Sequence, residues 1–120
     1  MSAKQSLLAW QWDGYPQFHT TRTNLLIHAL TAPLFPLGTL TLVAAAVARS
    51  PALAAVGVGA MFLPLILQGR GHKGEPRPPI RFSSPFNFVA RFFLEQWINL
   101  PRFLLSGGFT RAWAASRTAP

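Results

Sequence analysis

From Leu25 to Leu67 the chain is apolar almost without a break, and polar residues gather on either side. Residues 25–48 are long enough for a bilayer, because about 20 helical residues at 1.5 Å each cover about 30 Å of hydrocarbon. The exceptions in this run are His28, three threonines, Pro33 and Pro36. The prolines predict a kinked or split helix, and threonine hydroxyls can bond back to the helix. Arg49, Ser50 and Pro51 predict a tight connection. A second apolar helix is expected over 52–69, with Gly57, Gly59 and Ala60 allowing close approach and Pro64 as a further kink. This second run is short for a span, so it would tilt or end at the interface.

Outside the two runs the pattern changes. Residues 1–23 read as an interfacial lead, because Trp10 and Trp12 suit the membrane–water boundary. Within it, 15–23 predict a short helix or turn. Residues 70–85 read as a Gly- and Pro-rich loop. Over 86–105 helical periodicity returns, with Arg91, Glu95, Asn99 and Arg102 on one stripe and aromatic and aliphatic residues elsewhere. That is an amphipathic helix at the interface, bent by Pro101 and ended by Gly107 and Gly108. The tail, 106–120, is weakly patterned. The fold class expected is all-α: one integral membrane domain over 1–120, a helical hairpin with flanking interfacial amphipathic helices.

Composition sharpens this picture. Half of the 120 residues are hydrophobic and 12% are charged, where soluble chains carry about 25%. The formal net charge is +8, but the basic residues stand singly among apolar ones. That spread favours an anionic leaflet over nucleic acid as the partner. Of the eleven Lys and Arg residues, only Arg49 lies in the connection, which places both termini in the cytoplasm and suits a bacterial inner membrane. There is no cysteine, which excludes disulfides and thiolate chemistry. The first residues lack the pattern of a signal peptide.

The hairpin has a chemical consequence. His28 opens the first run and His72 follows the second, so antiparallel helices bring both to one face, with His19 and Glu75 beside them. Asn24 and His28, four apart, share a helix side. Two histidines and a carboxylate are the usual ligands of non-haem iron(II), and zinc takes the same groups. His19 and His28 can meet only if the helix breaks around Thr20–Thr23, since nine residues of helix would turn them apart. The plainer readings are interfacial histidines, a Glu75 ion pair with Arg70, Lys73 or Arg77, and a solvated Arg91–Glu95 pair.

The strings Tyr15-x-x-x-His19-x-x-x-x-Asn24-x-x-x-His28 and Gln68-Gly69-x-Gly71-His72-x-x-Glu75-x-x-Pro78 resemble the two signatures of a family of small membrane proteins. Long classed as a domain of unknown function (Mpo-like), that family has the fungal 2-hydroxy fatty acid dioxygenase as its best-known member. The resemblance covers roughly residues 15–105. It implies an iron(II)-dependent membrane dioxygenase that shortens 2-hydroxy fatty acids by one carbon (alpha-oxidation). It also implies His19, His28 and His72 as metal ligands, Glu75 as a fourth ligand or an orienting partner, and Asn24 bonded to a ligand or to the substrate. The fatty tail would lie among Phe82, Phe86, Phe92 and the hairpin, and Arg70, Arg77 or Arg81 would hold the acid. Two other classes fit the residues: a non-catalytic subunit or assembly factor in a homo-oligomer or larger membrane complex, and a metal-dependent lipid hydrolase using zinc.

Overall fold

The structure is a computed structural model that describes residues 5–116, so the first residues of the lead and the last of the tail lie outside the described residues. Every regular element among the described residues is helical: α1 (Leu7–Gly14), a 3-10 turn (Tyr15–Phe18), α2 (Arg22–Thr31), α3 (Leu34–Ala48) and α4 (Pro51–Lys73). After a loop come α5 (Pro85–Leu94), a π turn (Glu95–Asn99), α6 (Leu100–Leu105) and α7 (Gly108–Ala115).

The first apolar run is one rod with a bend. Ala32 and Pro33 keep right-handed helical dihedrals between α2 and α3, so the proline bends the helix without ending it. Arg22–Ala48 and Pro51–Lys73, of 27 and 23 residues, are long and apolar enough to cross a membrane. Only 28% and 17% of their most apolar stretches are buried within the fold, whereas the core helix of a soluble protein would be mostly covered. Large side chains such as Leu30, Leu40, Val47, Val56 and Phe62 face outward.

The turn between α3 and α4 needs two residues. Arg49 adopts the left-handed conformation that closes a helix, at φ 53°, and its N–H returns to Ala45 and Ala46. Ser50 then caps α4, its hydroxyl accepting from the Leu53 N–H at 3.1 Å. The two helices pack closely because glycine meets glycine. A Cβ on Gly38 would lie 2.8 Å from the Gly57 carbonyl oxygen.

Two boundaries differ from those expected. α4 runs on to Lys73, so Gln68 and His72 stand on a helix, and the loop begins at Gly74. Glycines at 69 and 71 and a cluster of later prolines suggest a loop, but no proline follows until Pro76, and helix formation carries through. The second helix is accordingly not short for a span. The 86–105 stripe also faces the other way from the one a solvated helix would present. Phe86, Phe88, Val89 and Phe93 point outward, and Gln96 and Asn99 are fully buried. The interior is thus unusually polar: Asn24, Gln96 and Asn99 stand beside Leu25 and Leu100 among the largest fully buried side chains.

Gly38→Val is expected to lower stability by about 1–3 kcal/mol through overpacking against the Gly57 backbone. Gly59 has open space where its Cβ would be, so Gly59→Ala should be neutral or stabilising by up to about 1 kcal/mol. Thermal unfolding of both variants in detergent checks the contrast.

Candidate metal centre

The helix break that the two histidines require is present. The 3-10 turn ends at Phe18, His19 is extended at φ −133° and ψ 73°, and Thr21 caps α2 with its hydroxyl accepting from the Asn24 N–H. The reversal folds the His19 ring back over α2, stacked on Tyr15 at 3.9 Å between centroids. There it meets His28 from α2 and His72 from the last turn of α4, with centroids 4.5, 4.8 and 5.0 Å apart and rings near perpendicular. Glu95, first residue of the π turn, completes the group. One donor atom from each of His19, His28, His72 and Glu95 lies within 4.8 Å of every other.

Backbone carbonyls fix the ring tautomers. His19 Nδ1 lies 2.7 Å from the Tyr15 oxygen and His28 Nδ1 3.0 Å from the Asn24 oxygen. A carbonyl can only accept, so both Nδ1 atoms carry hydrogen and both Nε2 lone pairs face the centre. Those Nε2 atoms are 3.3 Å apart, and each is 3.7 Å from Glu95 Oε2. Two lone pairs and a carboxylate oxygen at such range repel unless a cation or a proton lies among them. Donors about 2.1 Å from one ion stand roughly 3.0–3.4 Å apart at octahedral or tetrahedral angles. The two imidazoles are at that spacing, and Glu95, at 3.7 Å, would close in by a few tenths of an ångström on a shared ion. His72 Nδ1 adds a buried atom without a hydrogen-bond partner. The residues present can therefore hold a metal ion.

The electrostatics match. Burial, and then the neighbouring His28 and His72, hold His19 well below the ordinary imidazole value, against a smaller opposing effect of the Tyr15 carbonyl. The ring stays neutral, as a ligand must. Burial pushes the Glu95 carboxyl up to about 7, although Tyr15 and Arg91 pull it down. A carboxylate so short of solvent gains most from a cation beside it.

Of the expected site residues, His19, His28 and His72 come together, and Glu75 and Asn24 do not join them. Glu75 accepts from the Thr20 and Thr21 N–H groups, from both threonine hydroxyls and from Asn24 Nδ2, at 2.6–3.0 Å. Asn24 Nδ2 also donates to the Phe18 oxygen, so its amide N–H groups are spent on this network, while its Oδ1 is buried without a partner. Its place against α4 needs Gly71, where a Cβ would collide with Asn24 Oδ1. Burial alone would raise the Glu75 carboxyl, but these donors outweigh it and hold the group below the usual range. Glu75 is thus a strut that joins the end of α4 to the start of α2. The carboxylate in the group is Glu95, which the sequence pairs with Arg91 as a solvated ion pair. The inward turn of the stripe reverses that reading. One signal was legible: Glu95 is one of only three acidic residues in the chain, and it sits in an aromatic segment.

Glu95 is set by its neighbours. Pro101 has no N–H, and its ring would crowd the Trp97 carbonyl in a regular helix; the π turn over Glu95–Asn99 relieves this. Next to Glu95, Gln96 exchanges hydrogen bonds with Gln68 at 2.6 and 3.2 Å, and Gln68 also donates to Thr31. That amide pair fixes the π turn against the helix bearing His72. The group opens on a cavity of about 850 Å³, walled by Trp10, Phe18, Leu65, Ile80, Phe82 and Phe92.

His28→Ala and His72→Ala are expected to lose bound metal, and Glu95→Gln to weaken it at least about 10-fold, read by elemental analysis of purified protein. Glu75→Gln should keep most of the metal and lower the unfolding midpoint instead. A carboxyl held below its ordinary value stabilises the fold above that value, near 4.5, and the gain is lost as pH falls through the lower folded value. The wild type and Glu75→Gln should therefore differ most at neutral pH and converge in acid, as pH falls through the lowered folded value.

Comparison with protein-family models, with curated proteins and with solved structures finds no match to this chain.

Proposed function

We propose that the protein is an integral membrane, iron(II)-dependent dioxygenase that shortens 2-hydroxy fatty acids by one carbon. The observation that carries this reading is a four-donor group, His19, His28, His72 and Glu95, opening on an apolar cavity next to two helices of membrane length. The signature-like strings around His19, Asn24, His28 and His72 support it, since they supply three of the four donors. In this reading the hairpin spans a bacterial inner membrane with both termini in the cytoplasm. The basic residues on the side of the cluster face an anionic leaflet, where a fatty acid would arrive.

Iron(II) held there would supply the means of activating dioxygen and polarising the substrate. The protein's own contribution is orientation and exclusion of water. Carbonyls of Tyr15 and Asn24 aim two imidazoles, the Gln68–Gln96 pair fixes Glu95, and the aromatic walls accept an acyl chain. Cavities of about 300–1,000 Å³ take ligands of this size. The reaction balances as cleavage between C1 and C2 of the acid, with one dioxygen reduced. The products are the acid one carbon shorter, carbon dioxide and water.

Protein purified in detergent without oxygen is expected to carry near-stoichiometric iron, and to consume one dioxygen per 2-hydroxypalmitate shortened. His72→Ala should do neither. Zinc on purification, with no oxygen uptake but ester hydrolysis, would replace this reading with the lipid hydrolase, in which three of the four donors would hold zinc and leave a position for water. No metal after iron is supplied would leave a non-catalytic membrane subunit.

A further inference from the structure

The cavity that the histidines line also holds an unusual guanidinium. Arg91 lies between two aromatic faces, its central carbon 4.2 Å from the Phe82 ring and 5.3 Å from that of Trp10. One terminal nitrogen donates to the Arg81 carbonyl at 3.2 Å, while Nε is buried with no partner. The stacking fixes the plane of the fork without using its donors. Among the described residues, no carboxylate forms an ion pair with it. Asp13, on the same cavity, takes the Gln5 amide, Glu75 takes the threonines, and Glu95 faces the histidines. Arg91 stands one helical turn before Glu95, about 6 Å along the helix. A cation held rigid and half-dried in the lining of an apolar cavity, with Glu95 near enough to feel its charge but not in contact, is the complement of a single anionic group on an apolar tail.

We propose that Arg91 is the binding residue for the carboxylate of an amphiphilic acid, fixing its head group one turn from the histidine cluster with its chain along the aromatic wall. The assignment deepens the dioxygenase reading by naming the group that selects a free acid over an ester or thioester. It displaces Arg70, Arg77 and Arg81 from that role. Arg77 donates to Gln17 at 2.7 Å, and the Arg81 carbonyl serves to hold Arg91.

The test uses metal-free full-length protein in detergent micelles, titrated with 2-hydroxypalmitic acid and with its methyl ester, and followed by tryptophan fluorescence. Wild type is expected to bind the acid at least tenfold more tightly than the ester. Arg91→Gln should bring the two within twofold without weakening the ester. Arg91→Lys, which keeps charge but not the stacked fork, should lose most of the preference, and it serves if Arg91→Gln fails to fold. No preference in the wild type, or a full tenfold preference in either folded variant, would overturn the assignment. Because no metal is present, the result stands apart from the dioxygenase reading. Absent iron and absent oxygen uptake would sink that reading while leaving acid selection by Arg91 intact.

Discussion

One carboxylate organises the polar end of this protein. Glu75 follows α4 in the chain, yet its oxygens occupy the start of α2, where free N–H groups and the helix dipole favour a negative charge. Without that strut, the segment from Phe18 to Thr21 would leave its amides unsatisfied, and His19 would lose the reversal that brings it back over His28. The cluster therefore depends on a residue whose carboxylate is turned away from it, although its N–H donates to the His72 carbonyl at 3.1 Å. The strut also sets the distance of closest approach between α2 and α4, which is why Gly71 has no room for a side chain against Asn24.

The polarity of the fold runs opposite to that of a soluble domain. Aliphatic and aromatic side chains cover the outside of α3, α4 and α5, while amides and imidazoles fill the interior. A polar interior is tolerable only where its groups find partners. The reciprocal Gln68–Gln96 pair, the Asn99 amide donating to Gln11 and the Glu75 network meet much of that condition, while Asn24 Oδ1 and Asn99 Oδ1 stay buried without a partner. The arginines around this end obey a second rule. Arg22, Arg91 and Arg102 each lie over a tryptophan, on Trp113, Trp10 and Trp12, so guanidinium stacking ties α1, α5, α6 and α7 to the rest of the fold.

Much of this was legible in the chain and some was not. Run lengths and the Arg49–Pro51 punctuation predict the paired helices, and that pairing brings His28 and His72 to one end. The break between His19 and His28 follows from their nine-residue spacing once both are required to meet. Glu95 stayed hidden because helical periodicity says which residues share a face but not which way the face turns. In water Arg91, Glu95, Asn99 and Arg102 would point out; here Arg102 alone is exposed, Arg91 and Glu95 are half-buried, Asn99 is buried, and Phe86, Phe88 and Phe93 take the outside. The role of Glu75 stayed hidden for a related reason. A carboxylate three residues after a histidine looks like its partner in one dimension, whereas the threonines that claim it are more than fifty residues away. The π turn is legible only afterwards, as the accommodation of Pro101.

The four donors enter the chain in a fixed order, one from the link before the first rod, one from that rod, one from the second and the last from the segment beyond the loop. During synthesis, therefore, three imidazoles can assemble long before the carboxylate exists. Until Glu95 has emerged and the glutamine pair has drawn the π turn against α4, the nascent protein presents only a neutral, half-built pocket. Glu95 is thus the last of the four donors to arrive, and the order of the sequence leaves the closing of the group to the end of synthesis.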